Sequence, residues 1–189
     1  MIALGIDPGT RLLGWGVVRL DGTRMRHLAH GVLRLDETAP LAERLCQIDR
    51  DLGVLIARHR PDVGSVESLF FHKDAQAAAK LGHARGVVLL ALGRAGVRVT
   101  EYAPARVKRT IAGRGQADKR QVALMVRALL ALDETPPADA ADALAIAMTH
   151  LRLAPFEAAL RRSEELVPVR PRPRRRARPA WARALRPSR

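Results

Sequence analysis

The sequence predicts a single α/β domain built on a mixed five-stranded sheet flanked by helices. Three short apolar runs open the chain with connections too short for a crossover, so the opening strands are antiparallel. Two later apolar runs each follow a helical stripe, and the first of these is reached by a right-handed crossover that makes it parallel to the first strand. The length, 189 residues, suits one core of ordinary size and a tail.

The opening runs are Ile2 to Ile6, Leu12 to Leu20 and Leu28 to Leu35, the last two separated by the polar turn Asp21-Gly22-Thr23. Leu41, Leu45, Ile48, Leu52, Leu55 and Ile56 recur at helical spacing and end before Pro61. Val63 to Leu69 is the next strand, with Glu67 near its C-terminal end. Asp74 is placed to cap a helix reaching Arg94, and its apolar second half, Val87 to Leu92, predicts burial on every side. Val97 to Tyr102 is the last strand. Pro104 then opens a short helix through Ile111, followed by helices over Lys119 to Leu132 and Asp139 to Leu151, with Gly113-Arg114-Gly115 as a basic loop. This succession resembles the ribonuclease H-like plan.

A formal net charge of +14 and a pI near 11.5 point to an anionic partner, most simply a phosphate backbone. Nine of those charges are arginines between Pro168 and Arg189, a stretch with five prolines and no acid, and without it the body is still +5. The expected division is a domain over 1–154 and an Arg- and Pro-rich tail over 155–189 that is expected to be disordered. The lone Cys46 forms no internal disulfide, no signal peptide is legible and no apolar run approaches the ~20 residues that cross a bilayer. A soluble cytoplasmic protein is expected.

Four acids stand where chemistry is expected. Asp7, in Gly5-Ile6-Asp7-Pro8-Gly9-Thr10, ends the first strand in a tight turn, which alone reads first as a structural turn. Glu67 interrupts an apolar strand, either as a salt-bridged acid or as a cation ligand. If the first and fourth strands are neighbours, both acids emerge at the crevice where connections leave the sheet in opposite directions. Asp139 and Asp142 lie three apart on an alanine-rich helix and share a face. Asp139 has a second reading as an N-cap, whereas Asp142 has none. Four carboxylates in one crevice need a divalent cation, and all-oxygen ligands favour magnesium or manganese over zinc. Two such ions suit phosphodiester hydrolysis.

Lys73, Lys80, Arg106, Lys108, Arg109, Arg114, Lys119 and Arg120 fall in segments expected to border the crevice, Lys108 and Lys119 being the best placed for phosphate. Phe70 and Phe71 follow the strand of Glu67, and either pack in the core or stack on an unpaired base. Gly82 and Gly86, one turn apart, each cost a helix about 1 kcal/mol, so a close helix approach is expected, within the core or across a dimer. His72, His83 and His150 are expected at the surface or in packing, not as ligands.

The segments GIDPGTRLLGWGV, VESLFF, KLGHARGV, YAPARVKRTIAGRG, ADKRQVALMV and ADAADALAIAMTH closely resemble the RuvC family of Holliday junction resolvases, nearly collinearly from Ile2 to about Leu153. The resemblance implies a homodimer that nicks two strands of like polarity symmetrically at a four-way DNA junction, in recombination and repair, using magnesium. It puts Asp7, Glu67, Asp139 and Asp142 on the family's acidic tetrad, Phe70 on its stacking aromatic and Lys108 and Lys119 on its DNA-contacting lysines. It also implies the branch-migration proteins RuvA and RuvB as partners. Ser68 departs from the amide or acid usual there, and the tail after Pro155 has no counterpart in the family core. Actin-like ATPases share the Asp-Pro-Gly turn but need a second lobe. A junction binder without catalysis would not need the tetrad, and an RNA-directed relative suits Phe70 and the basic loop less well.

Overall fold

The computed structural model describes residues 1–68 and 75–166. Phe70, Lys73, Asp74 and the segment 168–189, on all of which expectations fell, lie outside them. Strands β1 (Ile2–Asp7), β2 (Leu12–Asp21) and β3 (Arg24–Arg34) form the antiparallel meander, and helix α1 (Leu41–His59) leads to β4 (Val63–Glu67). Helix α2 (Ala75–Arg94) leads to β5 (Arg98–Tyr102), followed by α3 (Pro104–Ala112), α4 (Lys119–Leu130) and α5 (Ala138–Leu166).

The sheet order is β3-β2-β1-β4-β5, with β1 and β4, and β4 and β5, parallel. The mixed five-stranded sheet is therefore as expected, and β1 and β4 are neighbours. Period-two alternation sends Leu4, Ile6 and Val66 into a core with Ile48, Leu52, Val88 and Leu92, from α1 and α2. Ala3 and Val63 enter the opposite core with Leu144, Met148, Val107 and Val126, from α3, α4 and α5. By the same alternation Asp7 and Glu67 belong to the α5 face.

Helix α5 lies against β1 and β2 with almost no space between. A Cβ on Gly5 would stand 1.9 Å from the carbonyl oxygen of Ala143, and one on Gly14 would stand 2.0 Å from that of Asp139. Glycine in the strands and alanine on the helix permit this approach, which carries Asp139 and Asp142 over the ends of the first strands.

Three expectations change. Helix α5 does not stop at Leu151 but runs to Leu166 with Pro155 inside it, so the boundary expected at residue 154 falls within a helix. Proline there removes the bond to the Leu151 carbonyl and its ring crowds that oxygen, a cost that α5 carries without ending. The chain forms two compact units, Met1–Phe156 and Glu157–Arg189. Asp139 is not an N-cap, because α5 already includes Ala138, and it sits in the first turn instead. Burial of Val87 to Leu92 holds for Val88, Ala91 and Leu92, which face the core, whereas Leu90 on the other side of α2 is 51% exposed. No helix among the described residues is long and apolar enough to cross a membrane.

Candidate nuclease site

The parallel pairing sets Ile6 beside Val66, so Asp7 and Glu67 follow each other out of the sheet on adjacent strands. They line a cleft of about 330 Å³ together with Pro8, Ser68, Lys108, Lys119 and Asp142. Asp7 comes from the end of β1, Glu67 from the end of β4, Lys108 from α3, Lys119 from the start of α4 and Asp142 from α5. A larger groove of about 1520 Å³ lies at the opposite end of the strands, around the β2–β3 turn. Among the described residues its only lining acids are Asp133 and Glu134, both exposed, so the smaller cleft is the chemical one.

Electrostatics single out Asp7. Burial, then the nearby charges of Asp142 and Glu67, and more weakly that of Asp139, push its carboxyl up to about 7 against the pull of Lys119. Burial and Asp142 also raise Glu67, while Lys119 and Lys108 act to lower it. The Lys119 ammonium stands 3.0 Å from Asp142 Oδ2, and that hydrogen bond and charge raise its own pKa. Asp139 does not line the cleft but is close enough for its charge to act on Asp7 and Lys119.

The donor set fits hard divalent ions. Among the described residues every acidic group here is a carboxylate and neither His nor Cys lines the cleft, and the acids crowd until one retains its proton to about pH 7 and a lysine is drawn in. Among the described residues, no three such side chains already close around one point as they would around an ion. Asp142 is instead engaged by Lys119.

Two arginines hold the backbone around these acids, and sequence reasoning missed both. Arg44 on α1 donates from its terminal guanidinium nitrogen to the Thr10 carbonyl at 2.9 Å, anchoring the turn that follows Asp7. Arg85, quoted only within KLGHARGV, is buried on α2, lines the cleft and donates to the carbonyl of Glu67 itself at 2.6 Å. Their partners are backbone carbonyls distant in sequence, which left no signal in the sequence to find them.

Of the basic residues expected around the crevice, Lys108 and Lys119 line it. Lys80, Arg106, Arg109, Arg114 and Arg120 are exposed outside the lining. Gly82 and Gly86 lie on α2, where an added Cβ would meet nothing within 4 Å among the described residues. His150 is a packing residue, buried and hydrogen-bonded through Nδ1 to the Tyr102 hydroxyl at 2.9 Å.

A five-stranded mixed sheet with carboxylates at the ends of two adjacent parallel strands and on the helix covering them defines a ribonuclease H-like nuclease. Residues 3–150 match the family described as crossover junction endodeoxyribonuclease RuvC. A relative of that name from Sorangium cellulosum is 62% identical over 175 residues, covering 93% of this chain and 98% of the relative. That alignment extends well past residue 154. The Thermus thermophilus RuvC structure superposes with a TM-score of 0.76 at 42% identity, covering 83% of this chain and 97% of that one. The T. thermophilus RuvC in complex with Holliday junction substrate gives a TM-score of 0.76 at 40% identity, with 82% and 96% covered. The chain belongs to the RuvC family of crossover junction endodeoxyribonucleases, the Holliday junction resolvases. Nucleases of this family are metal-dependent.

Proposed function

We propose that Asp7, Glu67, Asp139 and Asp142 are the catalytic acids and hold two magnesium ions, for which manganese substitutes, in resolving a four-way DNA junction by paired symmetric nicks in strands of like polarity. The observation that carries this is the carboxyl of Asp7, pushed up to about 7 by burial and by its three acidic neighbours. A site that costly to leave uncompensated suits divalent cations. When bound, such ions supply an activated water and charge neutralisation at the leaving oxygen.

The chain's own residues do the rest. Asp7 and Glu67 present oxygen ligands from rigid strand ends, and Asp142 and Asp139 close the site from α5. Lys119 pairs with Asp142 in this structure, and its largely exposed ammonium is free to turn to a phosphate once the acid is otherwise neutralised. Lys108 contacts the backbone from the α3 side, and Arg114 does so from the loop beyond. Phe70 stacks on an unpaired base beside the cut. These assignments rest on the family motifs, on the lining positions of the two lysines and on the crevice electrostatics.

The protein acts as a homodimer through α2. Among the described residues nothing lies within 4 Å of a Cβ placed on Gly82 or Gly86, and Leu90 is exposed one turn further on. RuvA and RuvB are its branch-migration partners in the bacterial cytoplasm. The nuclease domain corresponds to the compact unit Met1–Phe156, and the basic segment 168–189 adds electrostatic attraction for DNA.

The test is cleavage of a four-way junction and of linear duplex of the same arm sequence, with and without magnesium. Cutting restricted to the junction, dependent on magnesium and supported by manganese but not by calcium alone, is expected. Equal cutting of both substrates, or cutting in excess chelator, contradicts the assignment.

A further inference from the structure

We infer that Arg85 is a positioning residue for strand cleavage: from α2 its guanidinium locks the peptide that follows Glu67 and so fixes how that carboxylate enters the cleft. The inference rests on the reading of Glu67 as a catalytic acid. The Glu67–Ser68 peptide is held at both of its polar atoms. Its carbonyl accepts from Arg85 at 2.6 Å, and its N–H donates to the Tyr102 carbonyl at 2.9 Å. The second arm of Arg85 pairs with Glu101 at 2.5 Å, on the strand that also supplies Tyr102. One side chain therefore ties α2, the end of β4 and the edge strand β5 at the place where Glu67 leaves the sheet.

The chemistry requires arginine. Its side chain is only 9% exposed while that of Glu101 is 45% exposed, so the guanidinium is the desolvated partner and needs both acceptors. A planar fork meets a carbonyl and a carboxylate on different strands at once, whereas the single ammonium of lysine keeps the charge but cannot hold both in that geometry. Here one arm is spent on the backbone of the residue whose carboxylate lines the cleft, next to Lys108, Lys119 and Asp142.

The test is single-turnover cleavage of a four-way junction by the full chain as a function of magnesium, with junction affinity, sedimentation and thermal melting measured in parallel. For Arg85→Lys the expected result is a cleavage rate lower by about 10–100-fold, the usual cost of removing a partner that orients a ligand. The magnesium concentration for half-maximal rate rises, and junction affinity and dimer mass stay at wild-type values. Glu101→Gln, at a half-exposed site, gives a smaller loss in the same direction, and the double variant loses less than the product of the two. Wild-type rate and magnesium dependence in Arg85→Lys overturn the inference, as does a rate loss matched by lost junction binding. If Arg85→Lys loses its cooperative melt, Glu101→Gln carries the test, and an unchanged rate in that variant is then decisive against it. Glu67→Gln separates the two claims. Undiminished cutting there removes the reading of Glu67 and the inference with it, whereas an inactive Glu67→Gln beside a fully active Arg85→Lys removes the role of Arg85 alone.

Discussion

Asp7 is where burial and charge act against each other most strongly. Its ordinary pKa is 3.8, and in the fold it is about 7, so between those values the folded chain binds more protons than the unfolded one. Metal-free stability therefore falls as pH rises through this window and levels off above it. Asp7→Asn keeps the shape and removes the charge, and at pH 8 without metal it is expected to stabilise the fold by on the order of 2 kcal/mol. Thermal melts at pH 5 and pH 8 check this, and an unchanged wild-type pH slope in the variant would show that Asp7 is not the strained group. Metal affinity carries the complementary sign: it rises with pH through about 7, as Asp7 must lose its proton to coordinate. At this scale Glu67 and Asp142 were legible as acids in apolar segments, and Asp7 as an acid in a turn at a strand end beside Glu67. Asp139 was legible only as an acid near a helix start, since its place relative to the cap depends on where the Pro136-Pro137 segment lets the helix begin. Arg44 and Arg85 were not legible, because their partners are backbone carbonyls distant in sequence.

Helix α5 is the element that assembles the cleft, and its approach to β1 sets the height of Asp142 above Asp7. Gly5→Ala places a methyl group where the Ala143 carbonyl stands, so the helix must lift. A loss of about 1–3 kcal/mol is expected, together with weaker magnesium binding. Denaturant unfolding and magnesium titration measure the two, and wild-type values for both would mean that the contact does not set the site. For α2, replacing Gly82 and Gly86 by Leu is expected to yield monomers that no longer make paired nicks. Sedimentation showing an intact dimer would remove α2 from the interface. The helices were legible from their apolar spacing and proline stops. The full extent of α5 was not, because Pro155, which removes one hydrogen bond and crowds the turn before it, reads as a stop although α5 continues through it. The exposure of Leu90 was likewise hidden, since an all-apolar stretch does not reveal which side meets a core.

For the whole molecule, charge sets the partner and topology sets the reaction. The meander followed by two parallel strands was readable from connection lengths, and with it the crevice between β1 and β4. What charge alone left open was which polyanion, and family membership closes that gap. Removing 168–189 takes away nine of the positive charges. It is expected to weaken junction binding mainly at low salt and to flatten the dependence of affinity on salt. An unchanged slope over a salt titration would show that this segment makes no DNA contact.

The most direct single measurement is magnesium-dependent cleavage of a four-way junction by Asp7→Asn beside its affinity for the same junction. Removing one carboxylate charge from the crevice should abolish cutting while binding stays at least as tight as in the wild type. Cutting at the wild-type rate would contradict the assignment of the acidic cleft as the place where the strand is broken.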